Sequence, residues 1–148
     1  MTERRFAPVR AYEGRVRLPQ RKTRHSAGYD LEAAEEVTVQ PGQVALVPTG
    51  LKAYMGEGEV LLLAVRSSLA VKRRLALANG IGVIDADYAD NPDNEGHILV
   101  ALVNLGTEPV TIARGERVAQ GIFVNYLTVA GDQPGGQRVG GIGSTGRV

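Results

Sequence analysis

Seven consecutive residues, Gly82-Val83-Ile84-Asp85-Ala86-Asp87-Tyr88, bring two carboxylates, an aromatic ring and a side-chain-free approach into one short stretch. Val83 and Ile84 are strand formers, and Gly80 and Gly82 let a ligand or another backbone come close. The apolar neighbours would desolvate the Asp85 carboxylate, which is how a general base is tuned. Asp-x-Asp also closes ordinary turns between strands, so the stretch takes its meaning from what surrounds it.

Two further groups could handle an anion. Arg66-Ser67-Ser68 precedes a segment with helix propensity, and a short helix is predicted from Ser68 to Arg74, capped by Ser67 or Ser68 and ending in basic residues. A helix start beside a guanidinium fork is a credible phosphate cradle; the plain alternative is a capped helix with a surface arginine. The tail from Gly131 to Val148 holds seven glycines and little to bury. Arg138, Ser144 and Thr145 offer a polyphosphate one bidentate cation, two hydroxyls and accessible N–H donors, and the tail should be mobile when free. Gly141 to Gly146 spells G-x-G-x-x-G, but no strand-to-helix turn surrounds it, so a dinucleotide fold is rejected. No Gly-Lys-Ser/Thr of a Walker loop occurs. The run Asn91 to Gly96 starts like a calcium loop and fails at its twelfth position, where Leu102 replaces a glutamate.

The elements that must hold these groups are short. Apolar runs at Val37–Val39, Val44–Val47, Glu59–Val65, Ile98–Val103, Pro109–Ile112, Val118–Ala119 and Ile122–Val124 are cut by turns rich in the 19 glycines and 7 prolines. This predicts an all-β sandwich or jelly roll with one short helix. Runs apolar on both faces need cover on both, from the core and from a subunit interface. The 148 residues make one domain of adequate core, read as 1–131 followed by an arm, 132–148. With no cysteine and only His25 and His97, neither disulfides nor a thiolate zinc site is possible. Seventeen basic and 16 acidic residues leave net +1, which argues for no nucleic acid and no membrane partner. Basic residues crowd the first 25 positions and read as a soluble leader in preference to a phosphate-attracting arm. With no apolar span and no signal segment, the expected location is cytoplasmic.

Five separated stretches resemble, in order and spacing, the five motifs of the dUTPases. They are Ala27-Gly28-Tyr29-Asp30-Leu31, Arg66-Ser67-Ser68-Leu69-Ala70, Gly82 to Tyr88, Gly115-Glu116-Arg117-Val118-Ala119-Gln120 and Gly140 to Gly146. The resemblance implies a distorted β jelly roll (β-clip) assembled as a homotrimer, each site shared by subunits and closed by the C-terminal arm. It implies hydrolysis of dUTP to dUMP and pyrophosphate, keeping dUTP low and supplying dUMP for dTTP synthesis. Asp85 would then activate the water that attacks the α-phosphorus, and Tyr88 would lie under the deoxyribose and exclude a 2′-hydroxyl. Asn79 and the backbone from Gly80 to Val83, Gly82 included, would pair with uracil. Arg66, Ser67, Ser68 and Gln120 would bind phosphates, with Arg138, Ser144 and Thr145 reaching from the arm. Mg²⁺ would ride on the triphosphate, touched through water by Asp30. Arg117 is expected to hold structure through an acidic partner.

Three departures stand out. Ile142 occupies the arm position that usually carries a stacking aromatic, residues 89–97 form an extra loop, and Val65 stands where a proline often precedes the motif arginine. Two other readings remain. A dCTP deaminase shares the fold but carries a glutamate where this chain has Asp85, and a binding or regulatory module would keep the trimer without catalysis.

Overall fold

The computed structural model describes residues 3–141. In chain order its strands are β1 (Arg5–Pro8), β2 (Gln20–Arg21), β3 (Tyr29–Glu32), β4 (Val37–Val39), β5 (Val44–Pro48), β6 (Leu51–Tyr54) and β7 (Glu59–Val65). After the helix α1 (Ser67–Arg73) come β8 (Leu75–Leu77), β9 (Gly82–Asp85), β10 (Leu99–Asn104), β11 (Val110–Ile112) and β12 (Arg117–Asn125). They pair antiparallel into a five-stranded sheet, β2-β3-β12-β7-β9, a three-stranded sheet, β5-β10-β8, and two ribbons, β1-β6 and β4-β11. The predicted all-β, jelly-roll-like class holds. Among the described residues no helix is long and apolar enough to cross a membrane.

β7 is the spine of the larger sheet. Leu61 and Leu63 are buried, and each flanking strand makes room for them with a glycine. A Cβ at Gly121 on β12 would come to 2.9 Å from Leu61 Cδ1, and one at Gly82 on β9 to 2.9 Å from Leu63 Cβ. Glycine is therefore required by close packing at these two positions, whatever its cost in strand propensity. This also explains why β12 is one nine-residue strand and not the two runs predicted on either side of Gln120-Gly121. Gly121 marks a leucine's space, not a turn.

The basic N-terminus departs from the predicted leader. Arg5 to Pro8 pairs with Leu51 to Tyr54, and Phe6 is buried against Tyr29 and Phe123 at ring-centroid distances of 5.5 and 5.4 Å. Alternation explains it: Phe6 points inward while Arg5 points out over the Tyr54 ring, and Arg4, just before the strand, pairs with Glu59. The helix also starts one residue early, and no serine side chain caps it. Arg66 keeps the extended backbone of β7 (φ −70°, ψ 140°) and so becomes the N-cap itself. At the other end Arg74 adopts the left-handed conformation, φ 55°, in place of the usual glycine.

Asn104 brings a polar group into the core. Asn104, 1% exposed, donates from Nδ2 to Val39 O (2.9 Å) and Glu108 O (2.8 Å) and accepts from Gly106 N–H (2.8 Å). It ties β10 to the end of β4 and to the turn before β11. Asn104→Ala would leave those three backbone groups without their partner, at a cost of about 2–3 kcal/mol. Urea denaturation should show the lower midpoint with an unchanged slope.

Candidate active site

β8 and β9 are edge strands of different sheets, joined by residues 78–81. An edge strand leaves alternate backbone N–H and C=O groups unpaired. Between them opens a cavity of about 510 Å³ whose lining includes Asn79, Gly82, Val83, Asp85, Tyr88 and Arg138. The turn that shapes its mouth needs a left-handed residue, and Gly80 supplies it at φ 75°. β9 then bends back, Tyr88 N–H bonding to Asp85 O at 3.1 Å, so that carboxylate and aromatic ring face one space.

Asp85 differs from expectation. Its side chain is 50% exposed, not wrapped in apolar neighbours, because it closes the alternation of β9 on the outward side. Its partner is a cation: Arg138 Nη2 donates to Asp85 Oδ2 at 2.5 Å and Nε to Asp87 Oδ1 at 2.7 Å. The bond to Asp87 and the adjoining charges hold the Arg138 guanidinium above its ordinary value. Residues 132–141 form no helix or strand, yet this part of the arm is docked on the site. Gly141 lies so close to the Tyr88 ring that a Cβ would overlap it, and Asp93 N–H donates to Val139 O at 3.1 Å. The remaining arm residues named above, Ile142, Ser144 and Thr145, lie outside the described residues.

The other anticipated ligands gather elsewhere. Arg66, Ser67 and Gln120 line a second cavity of about 190 Å³ with Gly28, Asp30, Lys22 and Ser26; Ser68 does not reach it. Asp30 stands between two guanidinium groups, Arg66 Nε and Arg117 Nη1, each at 3.6 Å, so the acidic partner foreseen for Arg117 is Asp30. Gly28 is there for Gln120: a Cβ would overlap its amide oxygen. Lys22 and Ser26 were not foreseen. The hairpin β2-β3 carries them into place, and in sequence they look like more of the basic, polar N-terminal stretch.

Asp85 and the Arg66-Gln120 cluster sit toward opposite ends of β7. Asp85 pairs with Val60, whereas Gln120 and Arg66 lie beside and beyond Ala64 and Val65. At about 3.3 Å per residue, Val60 and Val65 are roughly 17 Å apart. One chain therefore does not bring its own carboxylate and its own phosphate cradle to the same atom.

A dUTPase family profile matches residues 15–146, 132 of the 148 positions. The chain belongs to the dUTPase family. Among curated relatives it is 51% identical to the deoxyuridine 5′-triphosphate nucleotidohydrolase of Lactococcus lactis over 99% of both chains. It is 43% identical to the one from Desulfitobacterium hafniense over 88% of this chain and 87% of that one. The crystal structure of the dUTPase from Streptococcus mutans superposes with a TM-score of 0.82 at 48% identity, covering 86% of this chain and all of that one. The dUTPase of Staphylococcus phage 80alpha, at 23% identity, shares the fold with a TM-score of 0.74.

His97, bonded to Tyr88 of this cavity, is a titration point. Its Nε2 accepts Gly50 N–H at 2.8 Å, its carbonyl accepts the Tyr88 hydroxyl, and burial pushes its pKa below the ordinary 6.5 despite Glu95 and Glu35. A depressed histidine binds fewer protons folded than unfolded, so its contribution is complete above pH 6.5 and is lost as pH falls through the folded value. The depressed carboxylates of Asp90 and Glu95, ordinarily 3.8 and 4.5, act in a lower window. Melting temperature should drop below pH 6.5, and His97→Gln, which keeps an acceptor for Gly50, should flatten that portion of the profile.

Proposed function

We propose that this chain hydrolyses dUTP to dUMP and pyrophosphate, with Mg²⁺, at sites shared between copies of a homotrimer. The observation that carries the reading is the single cavity holding the open edge of β9, the buried Tyr88 ring and the Asp85 carboxylate, in a chain of this family. Backbone N–H and C=O groups from Gly82 and Val83, with Asn79, pair with the edge of uracil. A site built to hydrogen-bond one edge can discriminate by about 10⁴ or more. Tyr88 lies against the sugar and leaves no room for a 2′-hydroxyl. Asp85 takes a proton from water, whose oxygen bonds to the α-phosphorus while the bond from that phosphorus to the bridging oxygen breaks. Pyrophosphate departs with the bonding electrons.

The charge of the phosphates is met by Arg66, Ser67 and Gln120 of another copy; Ser68, outside the cavity that these three line, takes no part. The roughly 17 Å between the two ends of β7 supports this division. So does an apolar outer face: Val44 and Leu46, both exposed, stand opposite Val103 and Ala101 in the β5-β10 pair. Opposite residues of an antiparallel pair share a face, so these four form one patch for a neighbouring copy. Among the described residues no three carboxylates or histidines converge on a metal position. Mg²⁺ thus fits as a companion of the triphosphate with Asp30 as its acidic neighbour, and when bound it offsets phosphate charge. The arm exchanges the Arg138 bonds to Asp85 and Asp87 for the γ-phosphate, and Ser144, Thr145 and Ile142 close over the nucleotide.

Incubation with dUTP, dCTP, dTTP and UTP should release pyrophosphate from dUTP alone; ammonia from dCTP would instead support a deaminase. In ¹⁸O-water the label should appear in dUMP and not in pyrophosphate. Asp85→Asn should lower kcat by about 10²- to 10⁴-fold with nucleotide binding retained. Full activity of that variant would remove Asp85 from the role.

A further inference from the structure

Loop 89–97 follows Tyr88 directly and returns to it. The Tyr88 hydroxyl donates to His97 O at 2.6 Å and accepts from Asn94 Nδ2 at 2.9 Å, so both of its hydrogen-bonding roles are filled by the loop. Asn94 is itself held. Its Oδ1 accepts from Asn91 Nδ2 (2.8 Å) and Gly96 N–H (3.0 Å), and its own N–H donates to Asn91 Oδ1 at 3.0 Å. Asn91, 6% exposed, also donates to Tyr88 O at 2.7 Å.

The loop as a whole is fastened to β6. Lys52 Nζ donates to Asp90 Oδ1 at 2.6 Å and Glu95 Oε2 at 2.8 Å, and Tyr54 Oη to Asp90 Oδ2 at 2.5 Å. Burial alone would lower the Lys52 ammonium, but these bonds outweigh it and hold the lysine charged. Asp90 and Glu95 take the left-handed backbone, φ 61° and 65°, joined by Asp90 N–H to Glu95 O at 2.8 Å. A non-glycine residue rarely adopts that conformation unless its surroundings enforce it.

We propose that Asn94 is a positioning residue that sets sugar specificity, by pinning the Tyr88 hydroxyl so that the ring cannot swing aside for a 2′-hydroxyl. This rests on the reading of Tyr88 as the surface under the sugar. Steric rejection of one hydroxyl is only as strict as the wall is stiff. A tyrosine tied only at its Cβ yields by a rotamer change. Here the ring is tied at both ends, by its backbone and by its hydroxyl, and a free loop of this length would not do so.

Asn94→Asp keeps the size and the acceptor for Asn91 and Gly96 but removes the donor to Tyr88. In the full-length protein with Mg²⁺, the ratio of kcat/KM for dUTP over UTP should fall about tenfold, mainly through a gain on UTP, the change that one lost buried hydrogen bond allows. Tyr88→Phe, which loses the bond to His97 O as well, should relax the ratio at least as far, and Asn94→Asp added to it should do nothing more, since Asn94 acts only through the Tyr88 hydroxyl. If Asn94→Asp does not fold, Tyr88→Phe carries the test. An unchanged ratio in either variant, or additive effects in the pair, overturns the proposal while leaving dUTP hydrolysis intact. A wild-type protein inert toward dUTP would overturn both readings.

Discussion

The packing of Leu61 and Leu63 on β7 against the glycines of its two neighbours fixes the position of both β9 and β12. Through β12 it places Gln120 beside Asp30 and the Arg66 turn; through β9 it places Asp85 and the bend that leads to Tyr88. A substituent at Gly82 or Gly121 would push a neighbouring strand off β7, and a shift of a few tenths of an ångström there moves Asp85 or Gln120 by as much. Close packing of a strand core, not the loops, is thus the primary determinant of site geometry.

The same strand separates what it positions. With the Asp85 carboxylate at one end and the Arg66 cluster at the other, a single copy would, on the proposed reading, carry halves of two different sites. The apolar outer face of β5 and β10 gives those halves a reason to come together. Within one chain the arm settles on what is available, and Arg138 meets Asp85 and Asp87. On the proposed reading Asp85 would sit behind this cation until a polyphosphate offered Arg138 more charge than two carboxylates do.

Much of this was legible in the sequence. The runs at Val37–Val39, Val44–Val47 and Glu59–Val65 and the strand-into-bend at Gly82–Tyr88 read correctly, because strand-forming residues lie between clear turn signals. The motifs drew attention to Asp30, Arg66, Ser67 and Gln120, which the fold gathers in one cavity. What the sequence hid has physical causes. β1 was masked by arginines whose side chains point outward around one buried Phe6, and β8 is three residues directly after a helix. The exposure of Asp85 follows from strand alternation and from a partner 53 residues away, and neither shows in local composition. Loop 89–97 resembled a failed calcium loop because Asn and Asp serve equally for turns built on side-chain-to-backbone bonds, which is the use made of Asn91.

Subunit complementation tests the central claim, that Asp85 and the Arg66 cradle serve one substrate from different copies. Asp85→Asn and Arg66→Ala proteins, each nearly inactive, would be co-refolded in equal amounts and assayed with dUTP. Random mixing of two competent halves restores about a quarter of the sites, so roughly a quarter of wild-type activity is the expected result. Activity no higher than that of either variant alone, in assemblies proven to be mixed, would mean that one chain builds the whole site and would contradict the account.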